Sequence, residues 1–413
     1  MAKIQKIKGF ADLFPEEAAQ YTRMETIARE VFGLYGFGEL RVPVLEKTEL
    51  FAKSIGEDTD VVGKEMFTFP DRKGRSLTMR PEATAGVVRA FIDSGVHQPG
   101  KVSKFFTFGP MFRYERPQKG RQRQFHQIDA EIFGADEAQS DGELILMLRT
   151  FLNRLGLTKL TIELNSLGCN ECRPGYRQAL IDYYKSKDKD NFCEDCRRRM
   201  ETNPLRVLDC KVPTCKELVK DAPVITDHLC PECEQHFADV KAILDGAGAE
   251  YVLNPRLVRG LDYYVRTCFE VSSTDIGAQT AVAGGGRYDG LVKNLGGPAC
   301  AGTGFACGME RLALLLGEAE IAKPDFYLAV VDDSAANEAM LFAQKLREKG
   351  LTGDVSYGSG SMKSRMRAAN KAGAKVCLIL GGQEMADGTV TVKYMDEERD
   401  QETLDRSLYL ASM

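Results

Sequence analysis

The stretch 112–131, FRYERPQKGRQRQFHQIDAE, constrains the fold more than any other part of this chain. It reads as a strand, a loop broken by Pro117 and Gly120, and a returning strand, a hairpin that needs an antiparallel sheet on which to lie. Between Arg113 and Arg123 it holds five basic residues, Arg113, Arg116, Lys119, Arg121 and Arg123, against one acid, Glu115. Guanidinium forks match phosphate oxygens, so the hairpin is either a clamp for phosphate or nucleic acid or a solvated charged turn. On the returning strand Gln127, Asp129 and Glu131 alternate and therefore share one face. Carboxylates and an amide on a strand face beside arginines suit a small zwitterionic substrate; a solvent-exposed face is the competing reading.

The flanking sequence continues the pattern. EMFTF, SLTMR, KFFTFGPMFRYE and FHQIDAEIFG alternate between 65 and 135 in the manner of antiparallel strands, with helices expected at 17–35, 82–94 and 140–155. ELRVPVLE reads as a strand that Pro43 places at an edge or a bulge, beside a partner. LTIELN is another strand. A charged, cysteine-rich segment then interrupts the pattern, which resumes over 251–272 and AQTAVAGGGRYDGL and passes through GTGFACG into a helix, MERLALLLGEA. After Lys323-Pro324 the rhythm becomes β-α-β-α-β-β-α, a separate small α/β domain, with its last helix at 401–411. The expected class is α+β: an antiparallel-sheet core over 1–323 flanked by helices, a helical cysteine-rich insertion over 166–246, and an α/β domain over 324–413.

Composition narrows the partners. With 413 residues the chain has room for a sizeable core, and 43% hydrophobic with 28% charged residues excludes general disorder. The net charge of −5, 55 Lys+Arg against 60 Asp+Glu, excludes a blanket polycation, so nucleic-acid contact must come from local basic patches. MAKIQKIKGF has lysines but no apolar h-region, and no apolar run reaches the ~18 residues of a membrane span. A cytoplasmic protein without membrane contact is expected, its cysteines reduced.

Four further motifs carry chemistry. In TMRPEATAG (78–86), Pro81 and Glu82 open a helix with Thr84 in its first turn, or Glu82 and Thr84 hold an ammonium group. Arg259 of RGLDYY sits in strand-like sequence, where burial is costly unless it meets an anion. The glycines at 284–286 of AGGGRYDGL admit a close-lying ligand, or form a bulge or turn. Arg311 of GFACGMERL begins a helix and meets a phosphate there, or is an exposed first-turn arginine. Neither G-x-G-x-x-G nor G-x-x-x-x-G-K-[ST] occurs, which removes a dinucleotide fingerprint and a P-loop.

Between 169 and 233 eight cysteines fall in pairs: Cys169 with Cys172, Cys193 with Cys196, Cys210 with Cys215, and Cys230 with Cys233. Such spacing puts two thiolates on one tetrahedral ion, so the set makes two closed, structural Zn²⁺ sites or remains as free core thiols. How the pairs combine is open. His228 and His236 are read as surface residues.

Together these motifs resemble the class II aminoacyl-tRNA synthetases. FRYERPQKGRQRQFHQIDAE is similar to motif 2, GFACGMERL to motif 3 and the stretch around Pro43 to motif 1, while RGLDYY and AGGGRYDGL resemble signatures of the histidyl-tRNA synthetase family. The resemblance implies that ATP, with Mg²⁺, and histidine give histidyl-adenylate and pyrophosphate, after which histidine passes to its tRNA and AMP leaves. Glu82 and Thr84 would hold the histidine ammonium; Glu131 and Tyr264 would read the imidazole, supported by Gln127 and Tyr263. Arg113 would grip the α-phosphate, Arg259 would lie opposite it near the histidine carboxylate, and Arg311 would bind the γ-phosphate. Arg116, Gln118, Arg121 and Arg123 are the tRNA-binding candidates. A homodimer joined at motif 1, an insertion lying over the tRNA acceptor stem through Arg197, Arg198 and Arg199, and a C-terminal anticodon-binding domain are also implied. The helix SMKSRMRAANKAG carries Lys363, Arg365, Arg367 and Lys371 without an acid, a phosphate-contacting or a solvated face. The chain departs from the family pattern at Val265-Arg266, where Thr-Gly is usual, and at Ala83, where Gly is common. A synthetase-like regulatory subunit of ATP phosphoribosyltransferase is the alternative; a non-catalytic tRNA-binding module is a more distant one.

Overall fold

The hairpin forms as two ten-residue strands, Ser103–Phe112 and Gln124–Phe133, paired antiparallel from Ser103 opposite Phe133 to Phe112 opposite Gln124. The structure, a computed structural model, describes residues 3–56, 59–98, 100–276, 281–318, 322–358 and 360–413. The hairpin belongs to an eight-stranded sheet ordered Gly38–Glu39, Ser103–Phe112, Gln124–Phe133, Gly302–Gly308, Ala281–Arg287, Val265–Ser272, Thr161–Ser166, Val252–Leu253. Only the outermost pairings are parallel; the rest are antiparallel. Ile128, Ala130 and Ile132 turn to one face and join Phe32 of helix Pro15–Leu34 and Leu148 and Phe151 of helix Ala138–Arg154 in the core. Each of the isoleucine, leucine and phenylalanine side chains contributes about 1.5–3 kcal/mol when fully buried. A one-residue slip would put Gln127, Asp129 and Glu131 into that core instead, so the register is firmly specified.

Two expected strands are broken by loops. ELRVPVLE divides into Gly38–Glu39, parallel to Ser103–Phe112, and Leu45–Lys47, which joins a second sheet with Ser76–Met79 and Phe67–Pro70. Pro43 lies between them, where its missing N–H removes no ladder bond. The run 251–272 contains strands only at Val252–Leu253 and Val265–Ser272. Residues 254–264 form an irregular loop started by an Asx turn, Arg256 N to Asn254 Oδ1 at 3.0 Å, so RGLDYY is not in a strand. Apolar and aromatic side chains suit an extended loop as well as a ladder. The helices expected at 17–35 and 82–94 are Pro15–Leu34 and Thr84–Asp93.

The insertion is helical, with Cys172–Lys185, Glu194–Thr202, Pro213–Leu218 and Pro231–Gly246 around its own core of Tyr176, Leu180, Tyr184, Phe192 and Val207. Its last helix returns to the main core through Phe237, Val240 and Leu244. That packing buries His236, 3.5 Å from Asp141, so His236 is not the surface residue expected; its desolvation lowers its pKa. Arg287 of AGGGRYDGL is wholly buried and pairs with Asp141 at 3.0 Å and Asp289 at 3.1 Å. It ties the sheet to the start of helix Ala138–Arg154 by donating to the carbonyls of Ala135 and Glu137. Removing one partner of such a pair costs about 3–5 kcal/mol, which marks Arg287 as structural.

By residue contacts the chain divides into two compact units, Met1–Ala319 and Glu320–Met413. The second has a five-stranded sheet ordered Gly353–Val355, Phe326–Val330, Val376–Leu380, Thr389–Tyr394, Glu402–Asp405, parallel in its first three strands. Helix Gly382–Asp387 and strand Glu402–Asp405 were not expected, and the last helix is only Arg406–Ala411. Arg365 is not on a charged helix face: it is buried and donates to the carbonyls of Val330 (3.2 Å), Tyr357 (3.3 Å) and Gly358. Lys363, Arg367 and Lys371, four residues apart, are exposed along one stripe of helix Met362–Ala372. Among the described residues no helix is long and apolar enough to cross a membrane.

Candidate active site

A cavity of about 260 Å³ opens on the face of the large sheet opposite the core, and its lining includes Glu82, Thr84, Arg113, Gln127, Arg259, Tyr263, Tyr264 and Arg311. Strand alternation delivers Gln127 and Asp129 to its floor. Glu82 precedes helix Thr84–Asp93 and accepts the Ala85 N–H on Oε1 at 3.0 Å. Capping takes that oxygen only; Glu82 Oε2 is buried without a partner. Ala83 at the N-cap has φ −98°, an ordinary right-handed conformation, so its departure from glycine brings no backbone strain.

At the other end three arginines converge. Arg113 follows strand Ser103–Phe112; its Nε donates to the Pro81 carbonyl at 2.8 Å and its guanidinium lies 5.3 Å from the Phe125 ring centre. Arg259 is held by Glu270, Nη1 to Oε2 at 2.7 Å, and leaves Nε buried and unpaired. Arg311, in the first turn of helix Met309–Leu316, donates to the Ala281 carbonyl. The glycine run serves this end: a Cβ on Gly284 would stand 2.2 Å from Arg259 Nη2.

The electrostatics divide the cavity. Burial pushes the carboxyls of Glu82 and Asp129 up from their ordinary values, Asp129 strongly. For Arg259 burial pulls the other way, yet its pKa is raised, and the Glu270 carboxylate paired with it keeps the guanidinium charged. Burial pushes the Tyr264 hydroxyl up to about 12, so it stays a neutral donor. Among the described residues Glu82 Oε2, Gln127 Oε1 and both carboxylate oxygens of Asp129 have no hydrogen-bond partner. A buried polar atom left unmatched costs about 1–3 kcal/mol, a debt that a ligand ammonium or N–H would relieve.

Other expected site residues fall elsewhere. Glu131 lies beneath the floor, its carboxylate accepting from Thr84 Oγ1 at 2.7 Å and from the Tyr288 hydroxyl, so it does not present a free oxygen to the cavity. Tyr288 of AGGGRYDGL is a site residue that the motif does not disclose, because Glu131, to which its hydroxyl donates, is distant in the chain. Arg121 lines the cavity but is ion-paired with Glu115, and Arg123 stacks on Tyr114 at 3.8 Å; Arg116 and Gln118 are exposed. In the insertion Arg199 pairs with Asp60 at 2.7 Å, and Arg198 with Asp195 at 3.2 Å, so the arginine run is not three free charges. Arg266 has φ +50°, the left-handed region that favours the glycine usual at this place.

The cysteines combine across the insertion, not along it. Cys169, Cys172, Cys230 and Cys233 form one group and Cys193, Cys196, Cys210 and Cys215 another, all sulfurs of a group within 4.8 Å of one another. Cys169 Sγ is 3.6 Å from Cys172 Sγ and 3.8 Å from Cys230 Sγ; Cys193 Sγ is 3.8 Å from Cys210 Sγ. Zn–S bonds of about 2.3 Å place tetrahedral sulfurs about 3.8 Å apart, so both donor sets fit that ion.

Residues 9–312 match the family model described as "Histidyl-tRNA synthetase", and residues 325–410 match "Anticodon binding domain". The chain is 66% identical to the histidine--tRNA ligase of Maridesulfovibrio salexigens, over 99% of this chain and 100% of that one. It is 63% identical to that of Nitratidesulfovibrio vulgaris, over 100% and 99%. The crystal structure of apo S. aureus histidyl-tRNA synthetase superposes with a TM-score of 0.81 at 34% identity, covering 100% of this chain and 99% of that one.

Proposed function

We propose a residue-level mechanism from one premise: this chain belongs to the histidyl-tRNA synthetase family. Its reaction is the ATP-dependent attachment of histidine to tRNA. The alternative of a regulatory subunit of ATP phosphoribosyltransferase is less supported: a Bacillus halodurans protein described as an ATP phosphoribosyltransferase regulatory subunit/histidyl-tRNA synthetase is 19% identical, a likeness of fold alone.

The observation that carries the mechanism is the opposition, in one cavity, of unpaired acidic and amide oxygens to three arginines. The histidine ammonium is assigned to Glu82 Oε2 and to Thr84, whose hydroxyl proton goes to Glu131 and whose lone pairs remain to accept. The imidazole is read by Tyr264 with Gln127, backed by Tyr263. Glu131 acts one layer down, fixing Thr84 and Tyr288. A site of such groups discriminates strongly, since an unmatched side chain leaves them unpaired.

Arg259 holds the histidine carboxylate beside the α-phosphate and Arg113 grips that phosphate from the other side. A carboxylate oxygen forms the new P–O bond, the bond to the β-phosphate breaks, and pyrophosphate leaves with the electron pair. The two guanidiniums meet the charge developing on the equatorial oxygens. Arg311 takes the γ-phosphate. A ribose hydroxyl of the tRNA terminus then attacks the acyl carbon and AMP departs; no protein nucleophile is required. Mg²⁺ supplies charge neutralisation and arrives as the counterion of ATP: Glu115, Glu270 and Glu310 at this end are engaged by Arg121, Arg259 and His126.

We assign one structural Zn²⁺ to each cysteine group, closed sites that take no part in the chemistry. The remaining assignments are a cytoplasmic homodimer joined near Pro43 and tRNA contacts from Arg116 and Gln118 at the hairpin tip. ATP–pyrophosphate exchange with each proteinogenic amino acid in turn tests the site: exchange is expected with histidine alone, and exchange with another amino acid at a similar rate would remove the imidazole reading. The anticodon assignment has a separate test. Lys363→Glu combined with Lys371→Glu is expected to lower tRNA charging about tenfold at moderate salt, with histidine-dependent exchange unchanged. Equal charging by the double variant would leave that stripe as plain solvated surface.

A further inference from the structure

The insertion grips the histidine end of the cavity, and each grip lies beside a cysteine group. Arg173 directly follows Cys172; its Nε donates to the Leu167 carbonyl at 3.3 Å and its Nη2 to the Tyr264 carbonyl. Between Cys196 and Cys210, Asn203 Nδ2 donates to Asp262 Oδ1 at 2.9 Å and Arg206 Nη1 to the Arg259 carbonyl at 2.9 Å. In return Arg256 donates into the insertion, to the carbonyls of Pro223 and Lys220 at 2.9 Å and of Ala222.

These bonds matter because loop 254–264 lies outside the sheet ladder. The carbonyls of Leu257, Arg259 and Tyr264 accept instead from the side chains of Asn165, Arg206 and Arg173. A charged donor on the carbonyl of Arg259 or Tyr264 fixes the plane of that peptide, and with it the direction of the side chain that meets histidine.

Arg173, Asn203 and Arg206 each lie beside a cysteine group. Cys169 and Cys172 stand on the outgoing segment of the insertion's neck, Cys230 and Cys233 on the returning one, and the Cys230 N–H donates to Cys172 Sγ at 3.1 Å. An ion held there would close the neck and set the first turn of helix Cys172–Lys185, where Arg173 sits. The other group joins helix Glu194–Thr202 to Cys210 and Cys215, so that Asn203 and Arg206 lie on the turn it spans. The Cys193 N–H donates to Cys215 Sγ at 3.2 Å.

Resting on the zinc assignment above, we infer that the insertion is a metal-braced clamp on the histidine-binding loop. Arg173 and Arg206 are its positioning residues, and histidine affinity depends on metal occupancy far more than ATP affinity does. Of the three arginines at the phosphate end only Arg259 rides on the clamped loop; Arg113 and Arg311 lie outside the insertion and its loop.

The test uses the full-length protein purified without added zinc. Metal content is measured by mass spectrometry, then histidine and ATP binding by calorimetry before and after chelation and after restoring Zn²⁺. Two zinc ions per chain are expected, with histidine affinity falling about tenfold on metal removal, returning with Zn²⁺, and ATP affinity within twofold throughout. Because chelation could unfold the insertion, Arg206→Ala is measured in parallel. It should retain its zinc and lose the same histidine affinity, with Arg206→Lys recovering part of it. Zinc present but histidine affinity unchanged, in both the chelated protein and Arg206→Ala, overturns the clamp and leaves the metal sites standing. Equal losses for ATP and histidine also overturn it, and protein purified active but free of metal overturns the zinc assignment together with the clamp.

Discussion

Arg259→Ala is expected to lower histidine-dependent ATP–pyrophosphate exchange by roughly a thousandfold, the scale of removing a preorganised charge from a transition state. Nothing else takes its place: it lies against Gly284, where even a Cβ would collide, and among the described residues Glu270 pairs with no other cation. Its loss also leaves the Glu270 carboxylate without its partner at the place where the α-phosphate must sit, a like charge that repels it. Arg259→Lys should recover little, because a single ammonium cannot hold Glu270 and reach two substrate oxygens as a planar fork does. Thermal melting separates this from misfolding. A variant that melts with the wild type yet exchanges within tenfold of it would remove Arg259 from the chemistry and leave Arg113 as the phosphate-binding group.

Gly304→Ala has the next largest expected effect, although Gly304 is apolar and touches no substrate. It stands opposite Glu131 in the sheet, and a Cβ there would lie 1.6 Å from Glu131 Oε2 and 2.8 Å from the Ala130 carbonyl oxygen. The carboxylate cannot swing aside, because Thr84 and Tyr288 pin it. Overpacking at such a place costs about 1–3 kcal/mol of stability. The functional loss should exceed it: displacing Glu131 shifts Thr84, and histidine KM is expected to rise about a hundredfold while ATP KM stays near its original value. The KM ratio decides the matter. If both constants move together, the damage is general and Glu131 does not position the floor.

The contrast between the strand and the loop explains what the sequence could disclose. From Gln124 to Phe133 each residue's side is dictated by the pleat, so composition alone separates Ile128 and Ile132 from Gln127, Asp129 and Glu131. Nothing so regular acts on 254–264. Tyr263 and Tyr264 look like strand residues but lie in the loop, where the carbonyls of Tyr264 and Arg259 are held by Arg173 and Arg206, far along the chain. Distance along the chain also hid the cysteine grouping, in which Cys172 meets Cys230 and not Cys193. Arg365 and His236 were misread for a related cause: a charged or titratable side chain is surface by default, and only the carbonyls of Val330 and Tyr357, or Asp141, make burial tolerable. The motifs around Arg113, Arg259 and Arg311 were legible because their residues are local, whereas Tyr288's bond to Glu131 is not.

The alternation of strand Gln124–Phe133 has a consequence for how this protein can fail. Its core residues and its floor residues are neighbours on one backbone, so neither set can be placed without placing the other. A chain that folded with the wrong register would show carboxylates to the helices and isoleucines to the substrate, and would be rejected by its own packing before it met ATP. Copies with a slipped register therefore fail as unfolded chains and do not persist as folded ones with a misshapen pocket. For an enzyme whose errors would be written into every protein of the cell, fidelity begins in the sheet.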